Sequence, residues 1–182
     1  MTLDINSPIV ALQKNVDQFC ESFEKKYSKE MTCKKGCSAC CHQDLSVFPI
    51  EADVIRQWFQ NQPDNLKSEL IATWKLDQAT GADTSGHPAQ PCSFLYKNAC
   101  TIYAARPMIC RSQGVALKWV ENESPQYDVC PLNFTDGDFD KQDALDIDRL
   151  QTLQSIAQVS TKATSERVKL SQIKQELGQK NS

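Results

Sequence analysis

The sequence has little of what would make its function easy to place. It holds 6 glycines in 182 residues. Gly36 and Gly114 stand alone, and no glycine-rich phosphate loop or dinucleotide fingerprint is present, so nucleotide-dependent chemistry has no support. No apolar run is long enough to span a bilayer, and Met1-Thr2-Leu3-Asp4-Ile5-Asn6 carries no basic stretch ahead of an apolar one. Export and membrane insertion are therefore not expected. The net charge of −3 and pI near 5.4 provide no basic field to draw in nucleic acid or an anionic membrane. Internal repeats and low-complexity tracts are also missing. At this length a chain can bury a sizeable core without covalent help.

Cysteine is what the chain has in quantity, with 9 in all. Eight fall into two groups: Cys33, Cys37, Cys40 and Cys41, then Cys92, Cys100, Cys110 and Cys130. With no export signal the expected location is cytoplasmic, where thiols stay reduced, so this density points to metal or redox chemistry instead of disulfides. The odd total also suits pairing poorly.

Within Cys33-x3-Cys37-x2-Cys40-Cys41, two conformations gather the sulfurs. A helix places offsets of four, seven and eight toward one face. Alternatively a turn at Gly36 makes Cys37-Ser38-Ala39-Cys40 the two-residue knuckle of zinc and iron–sulfur sites. Burial of small apolar side chains would explain two cysteines, but four within nine residues, flanked by Lys34, Lys35 and His42, favour ligation. The second group is spaced by seven, nine and nineteen intervening residues. Eight thiolates carry more negative charge than two divalent ions offset, so Arg106 and Arg111 near Cys110 are candidates to stabilise the site, with ordinary surface solvation as the alternative. Consecutive Cys40 and Cys41 point in different directions and seldom satisfy one tetrahedral ion together. They serve two centres, or one is not a ligand and His42 or an exogenous group completes the set. Cys20 lies apart, on an apolar helical face, and reads as a small buried hydrophobe.

The ordered elements Cys33-x3-Cys37-x2-Cys40-Cys41, Pro91-Cys92-Ser93-Phe94-Leu95, Cys100-Thr101-Ile102-Tyr103, Arg106-Pro107 and Cys110-Arg111 closely resemble the YkgJ-type cysteine-cluster family, the zinc- or iron-chelating CxxCxxCC domain. The resemblance covers Cys33 to Cys130, with three residues instead of two between Cys33 and Cys37 as its departure. It implies metal ligation by the eight cysteines and inclines the cofactor toward an iron–sulfur cluster over zinc, with an electron-transfer or redox-enzyme role. A zinc-stabilised interaction module and a metal chaperone or store are the alternatives. A related cluster in flagellin lysine-N-methylase hints at a protein substrate or partner. Pro91 and Pro107 are expected to stiffen the segments presenting Cys92 and Cys110. Tyr103 and Arg106 are candidates to hydrogen-bond the sulfurs, with Tyr103 as a core aromatic equally open.

The expected fold is mainly α with a small cysteine-rich centre, irregular or two-stranded, organised by metal. A first helix runs from Ser7-Pro8 toward Glu30, within an N-terminal segment 1–32. The cysteine-cluster domain is assigned to 33–135, and a helical extension to 136–182. Helices are expected from Pro49 and from about Pro63 to Gln78, a loop over Thr80–Pro91, a hairpin over Cys92–Tyr103 and a strand over Val115–Val120. Helical spacing resumes over Phe139–Val159 and Ser165–Gly178, with a break near Ser160-Thr161, and its apolar stripe is expected to pack on the chain's own core. Asp136-Gly137-Asp138-Phe139-Asp140 mimics a calcium loop, but Lys141 and Ile147 replace the glycine and glutamate such a loop needs.

Overall fold

The computed structural model describes residues 7–33, 36–76, 91–161 and 166–179. The expected loop before Pro91, with His87, lies outside these residues, as do Lys34 and Lys35. Along the chain come α1 (Pro8–Lys26), β1 (Ser46–Val47), α2 (Pro49–Gln60), α3 (Asp64–Lys75), β2 (Leu95–Tyr96), β3 (Ala99–Cys100), α4 (Met108–Arg111), β4 (Leu117–Glu121), β5 (Ser124–Asp128), β6 (Leu145–Asp146), α5 (Ile147–Val159), β7 (Val168–Lys169) and α6 (Leu170–Gln179). About half of the described residues are helical and the strands are short, so the fold is mainly α.

Prolines open the first two helices. Pro8 and Pro49 sit in the first turn, where a missing N–H costs nothing and the fixed φ suits the helix. Ser7 occupies the position before Pro8, but its hydroxyl makes no cap bond; its carbonyl accepts from Ala11 N–H at 3.0 Å. At α2, Glu51 reaches back to accept from Phe48 N–H at 3.2 Å.

The described residues fall into two compact units. The first comprises 36–76, 91–107 and 166–179; the second, 7–33 and 108–161. In the first, α6 packs against α2 and α3, and β1 pairs antiparallel with β7 through Ser46 with Lys169 and Val47 with Val168. β2 and β3 form the expected hairpin, Leu95 opposite Cys100 and Tyr96 opposite Ala99. Its turn residues Lys97 and Asn98 have φ of 47° and 60°, the left-handed geometry that two-residue hairpins demand. The core gathers Ala52, Ile55 and Phe59 of α2, Trp74 of α3, Phe94, and Leu170, Ile173 and Leu177 of α6. The Trp74 indole N–H donates to Thr101 Oγ1 at 2.9 Å, whose hydroxyl donates in turn to the Phe94 carbonyl at 2.9 Å. Cys92 and Cys100 pack against this cluster, partly buried.

In the second unit α1 contacts α4 and α5, and β4 is central to a sheet of order β5-β4-β6. β5 is antiparallel to β4 and β6 parallel to it. An aromatic cluster ties the end of α1 to the segment before α5: Phe23 and Tyr27 lie 4.7 Å apart between ring centroids, Tyr27 and Phe134 5.3 Å, and Phe134 and Phe139 5.5 Å.

The helix expected from Phe139 begins only at Ile147. Asp140 instead caps a 3-10 turn over Lys141–Asp143, Leu145 and Asp146 pair with β4, and the Asp146 carboxylate accepts from Arg149 N–H at 2.9 Å to start α5. The apolar stripe packs inward as expected along α6 and at Leu150. Elsewhere α5 reverses the expectation, burying Gln154, Ala157 and Gln158 while Ile156 and Val159 are 62% and 77% exposed.

Candidate metal centre

Over residues 36–41 the first cysteine group adopts the turn conformation and not the helix. Gly36 has φ of +97°, which favours glycine over any residue with a Cβ, and Cys41 N–H donates to the Ser38 carbonyl at 2.8 Å, closing a turn around Ala39 and Cys40. The second group reaches this turn through its backbone. Cys92 N–H donates to the Cys41 carbonyl at 2.8 Å, and Ser38 Oγ donates to Asn98 Oδ1 in the hairpin turn at 3.2 Å. Leu95 N–H returns to the Cys92 carbonyl at 2.8 Å, and the hairpin register then sets Cys100 opposite Leu95. Thus Cys37, Cys40, Cys41, Cys92 and Cys100 all belong to the first unit. Cys40 is exposed; the other four are partly buried.

These thiols differ electrostatically. A hydrogen bond with the Cys41 side chain, the largest influence, holds the Cys40 pKa down to about 6. Cys92 and Cys100 are pushed up, chiefly by burial. Cys100 feels the negative charges of Cys92 and Cys40 and the positive charge of Arg106, so these groups share one electrostatic neighbourhood. At Cys92 the carboxylate of Asp44 raises the pKa and the ammonium of Lys174 lowers it. Arg106 lies over the Tyr103 ring, 3.9 Å from its centroid. Tyr103 is 57% exposed, which rules out the core-aromatic reading. His42 follows Cys41 directly, and its Nδ1 is buried without a hydrogen-bond partner among the described residues.

Cys33, Cys110 and Cys130 belong to the second unit. Cys33 approaches Gly114 so closely that a Cβ there would lie 3.2 Å from both Cβ and Sγ of Cys33. Gly114, at φ +98°, thus answers two demands, the left-handed backbone and the close approach. Asn133 locks the contact. Its Nδ2 donates to the Gly114 carbonyl at 2.7 Å, its Oδ1 accepts from Thr32 N–H at 2.8 Å and Cys33 N–H at 3.1 Å, and its own N–H donates to the Cys130 carbonyl at 2.8 Å. Cys110 lies on α4, partly buried. Arg111 is buried and ion-paired with Asp17 of α1. Cys20 is buried as expected, its Sγ donating to the Arg111 carbonyl at 3.4 Å.

Sequence reasoning missed Asn133, Asp44 and Lys174. Asn133 carried no local signal, since its partners lie 19 and about 100 residues away. Lys174 did carry one: it shares the helical face of Leu170, Ile173 and Leu177, where a lysine is out of place without a partner.

Among the described residues no group of three or more His, Cys, Asp or Glu side chains is placed to hold a metal ion as it stands. The donor chemistry nevertheless fits zinc or iron. Thiolate sulfur is the ligand both accept, Cys40 has a thiolate-favouring environment, and the orphaned His42 Nδ1 is a further nitrogen donor beside it. The family model CxxCxxCC, described as "Putative zinc- or iron-chelating domain", matches residues 32–131. No curated protein and no solved structure matches the chain. The match spans more than half of the sequence and includes all eight grouped cysteines, so the chain belongs to the CxxCxxCC family of zinc- or iron-chelating domains.

Proposed function

We propose that the chain binds metal through Cys33, Cys37, Cys40, Cys41, Cys92, Cys100, Cys110 and Cys130, that an iron–sulfur centre is the form to expect before zinc, and that it serves electron transfer or a redox reaction in a reducing, cytoplasmic setting. The observation that supports the metal reading is the 2.8 Å backbone bond from Cys92 to Cys41, which joins the segment of Cys37, Cys40 and Cys41 to that of Cys92 and Cys100 across 51 residues of sequence (92 − 41 = 51). A bound cluster would supply one-electron chemistry; a zinc ion would supply rigidity. The protein's own part is to hold the thiols and balance their charge. Arg106 is placed to offset charge at Cys100, and Tyr103 holds its guanidinium from one side. Arg111 adjoins Cys110 and pairs with Asp17 of α1, which fixes the end of α4 and so supports the position of Cys110.

Within the first unit the hydrogen bond between Cys40 and Cys41 divides their tasks. Before metal binds, Cys40 takes the thiolate role and Cys41 the donor role, so Cys40 is the readier ligand of the pair. Anaerobic purification followed by an absorption spectrum and metal and sulfide assays tests the function. Broad absorption near about 400 nm with matching iron and sulfide supports the cluster. A colourless protein with stoichiometric zinc removes the redox role. Cys40→Ser and Cys41→Ser should each lose metal, Cys40→Ser the more. Full retention of metal in either variant would remove that cysteine from the ligand set.

The zinc-stabilised interaction module has one observation in its favour, the exposure of Leu153, Ile156 and Val159 on α5. Co-purification of a partner with the zinc form, abolished by Ile156→Glu, would establish it.

A further inference from the structure

The C-terminal helix α6 lies beyond residues 32–131 that match the family, yet it touches the cysteine site. Leu170, Ile173 and Leu177 enter the core cluster against which Cys92 and Cys100 pack. Lys174 stands on that same face, half-buried, and makes no ion pair with a carboxylate among the described residues. It lines a shallow groove of about 560 Å³ together with Ile71, Trp74, Ser93 and Ser171, and Ser93 is the neighbour of Cys92. The opposite charge at this position is also fixed. The Asp44 carboxylate is held by Ser171, whose N–H and hydroxyl donate to it at 3.2 and 2.8 Å.

A half-buried ammonium with no carboxylate partner pays a desolvation cost that packing alone does not repay. Its charge acts at Cys92, whose sulfur is an anion when ionised or bound to metal. We propose that Lys174 is a positioning residue of the metal centre, a cation supplied by the helical extension that offsets thiolate charge at Cys92 and strengthens metal binding there. This rests on the metal reading given above. It assigns to α6 a task that the family segment does not contain. The partnership is electrostatic: no bond forms or breaks, and Lys174 remains an ammonium throughout.

The test is a Co²⁺ titration of the reduced, metal-free full chain, followed by its sulfur-to-metal absorption, for wild type, Lys174→Met, Lys174→Gln, Lys174→Arg and Lys75→Met. Lys75 lines the same groove and carries the same charge, but it is not among the charges that act on Cys92 or Cys100. Lys174→Met and Lys174→Gln should each bind Co²⁺ about tenfold more weakly, at the low end for groups that support metal ligands. Lys174→Arg should recover most of that loss, and Lys75→Met should stay within about twofold of wild type. Meanwhile the urea midpoint of metal-free Lys174→Met should be unchanged or raised, because an unpaired buried charge has been removed. A purely structural lysine would give the reverse pattern, lower stability with unchanged affinity. Wild-type affinity in both neutral variants, or an equal loss in Lys75→Met, overturns the role of Lys174 and leaves metal binding standing. Failure of the wild-type chain to bind Co²⁺ overturns both.

Discussion

Asn133→Ala should be among the most damaging single substitutions outside the cysteines. The side chain is 3% exposed and satisfies the Gly114 carbonyl and the N–H groups of Thr32 and Cys33. Removing it leaves the Gly114 carbonyl buried without its donor, at about 1–3 kcal/mol, whereas the two N–H groups lie where water reaches and cost about 0.5–1 kcal/mol each. The expected total is about 3 kcal/mol. With a urea m-value of about 2 kcal/mol/M, that moves the midpoint down by about 1.5 M in metal-free, reduced protein. Amide exchange adds a local readout, because the Thr32 and Cys33 amides should lose protection. Asn133→Asp separates the two halves of the clamp. It keeps an acceptor for Thr32 and Cys33 but sets a carboxylate against the Gly114 carbonyl, so its folded pKa should rise above the unfolded value of about 3.9. The protonated form can donate again, so stability lost at neutral pH should return as pH falls toward that unfolded value. Midpoint shifts below about 0.3 M, with both amides still protected, would refute the clamp.

Gly114→Ala forces a side chain onto φ +98° and against Cys33 Sγ at 3.2 Å, so it should cost about 1–3 kcal/mol and reduce metal content if Cys33 is a ligand; denaturation and metal analysis check both. Cys20→Ala should leave metal content intact and lower stability by about 1 kcal/mol, the loss of a small buried group; a fall in bound metal would return Cys20 to the ligand set. In the metal-free chain at pH 7, iodoacetamide followed by peptide mapping should modify Cys40 ahead of Cys92 and Cys100, since its pKa is lowered to about 6 and theirs are raised. The sign of the pH effect follows: the stability Cys40 gains from its lowered pKa is present above the ordinary thiol value and is lost as pH falls through about 6.

Elements with strong local signals were legible. Pro8 and Pro49 mark helix starts, α2 and α3 carry apolar residues at helical spacing, and the cysteine-bearing hairpin lies where short apolar segments flank Lys97-Asn98. Legibility failed where tertiary pairing overrode local pattern. β6 forms because Leu117 and Lys118 of β4 offer backbone partners to Leu145 and Asp146, and β7 because β1 does the same for Val168 and Lys169. Periodicity could not see either strand. The reversed burial of α5 has a related cause. Its apolar residues are split between Leu150 and Ala157 on one face and Leu153, Ile156 and Val159 elsewhere, so no single stripe contains them all, and the face chosen by packing carries Gln154 and Gln158 with it.

For the site, residue identity was readable and support was not. Cysteines announce themselves by spacing, because a soft ligand has few other reasons to recur at two- and three-residue intervals. The groups that position and neutralise them are ordinary amino acids whose chemistry depends on placement. Lys174 becomes informative only once α6 is seen to share a core cluster with Cys92, and Asn133 only once residues 32, 114 and 130 are seen to converge on it. Arginines give the converse lesson. Arg106 and Arg111 flank Cys110 at equal standing in sequence, yet the guanidinium of one stacks on Tyr103 within reach of Cys100, while the other is held by Asp17. An arginine close to one cysteine along the chain can thus act at another. Charge compensation acts through space and not along the chain, so a lysine 82 residues downstream of Cys92 can act on its sulfur (174 − 92 = 82).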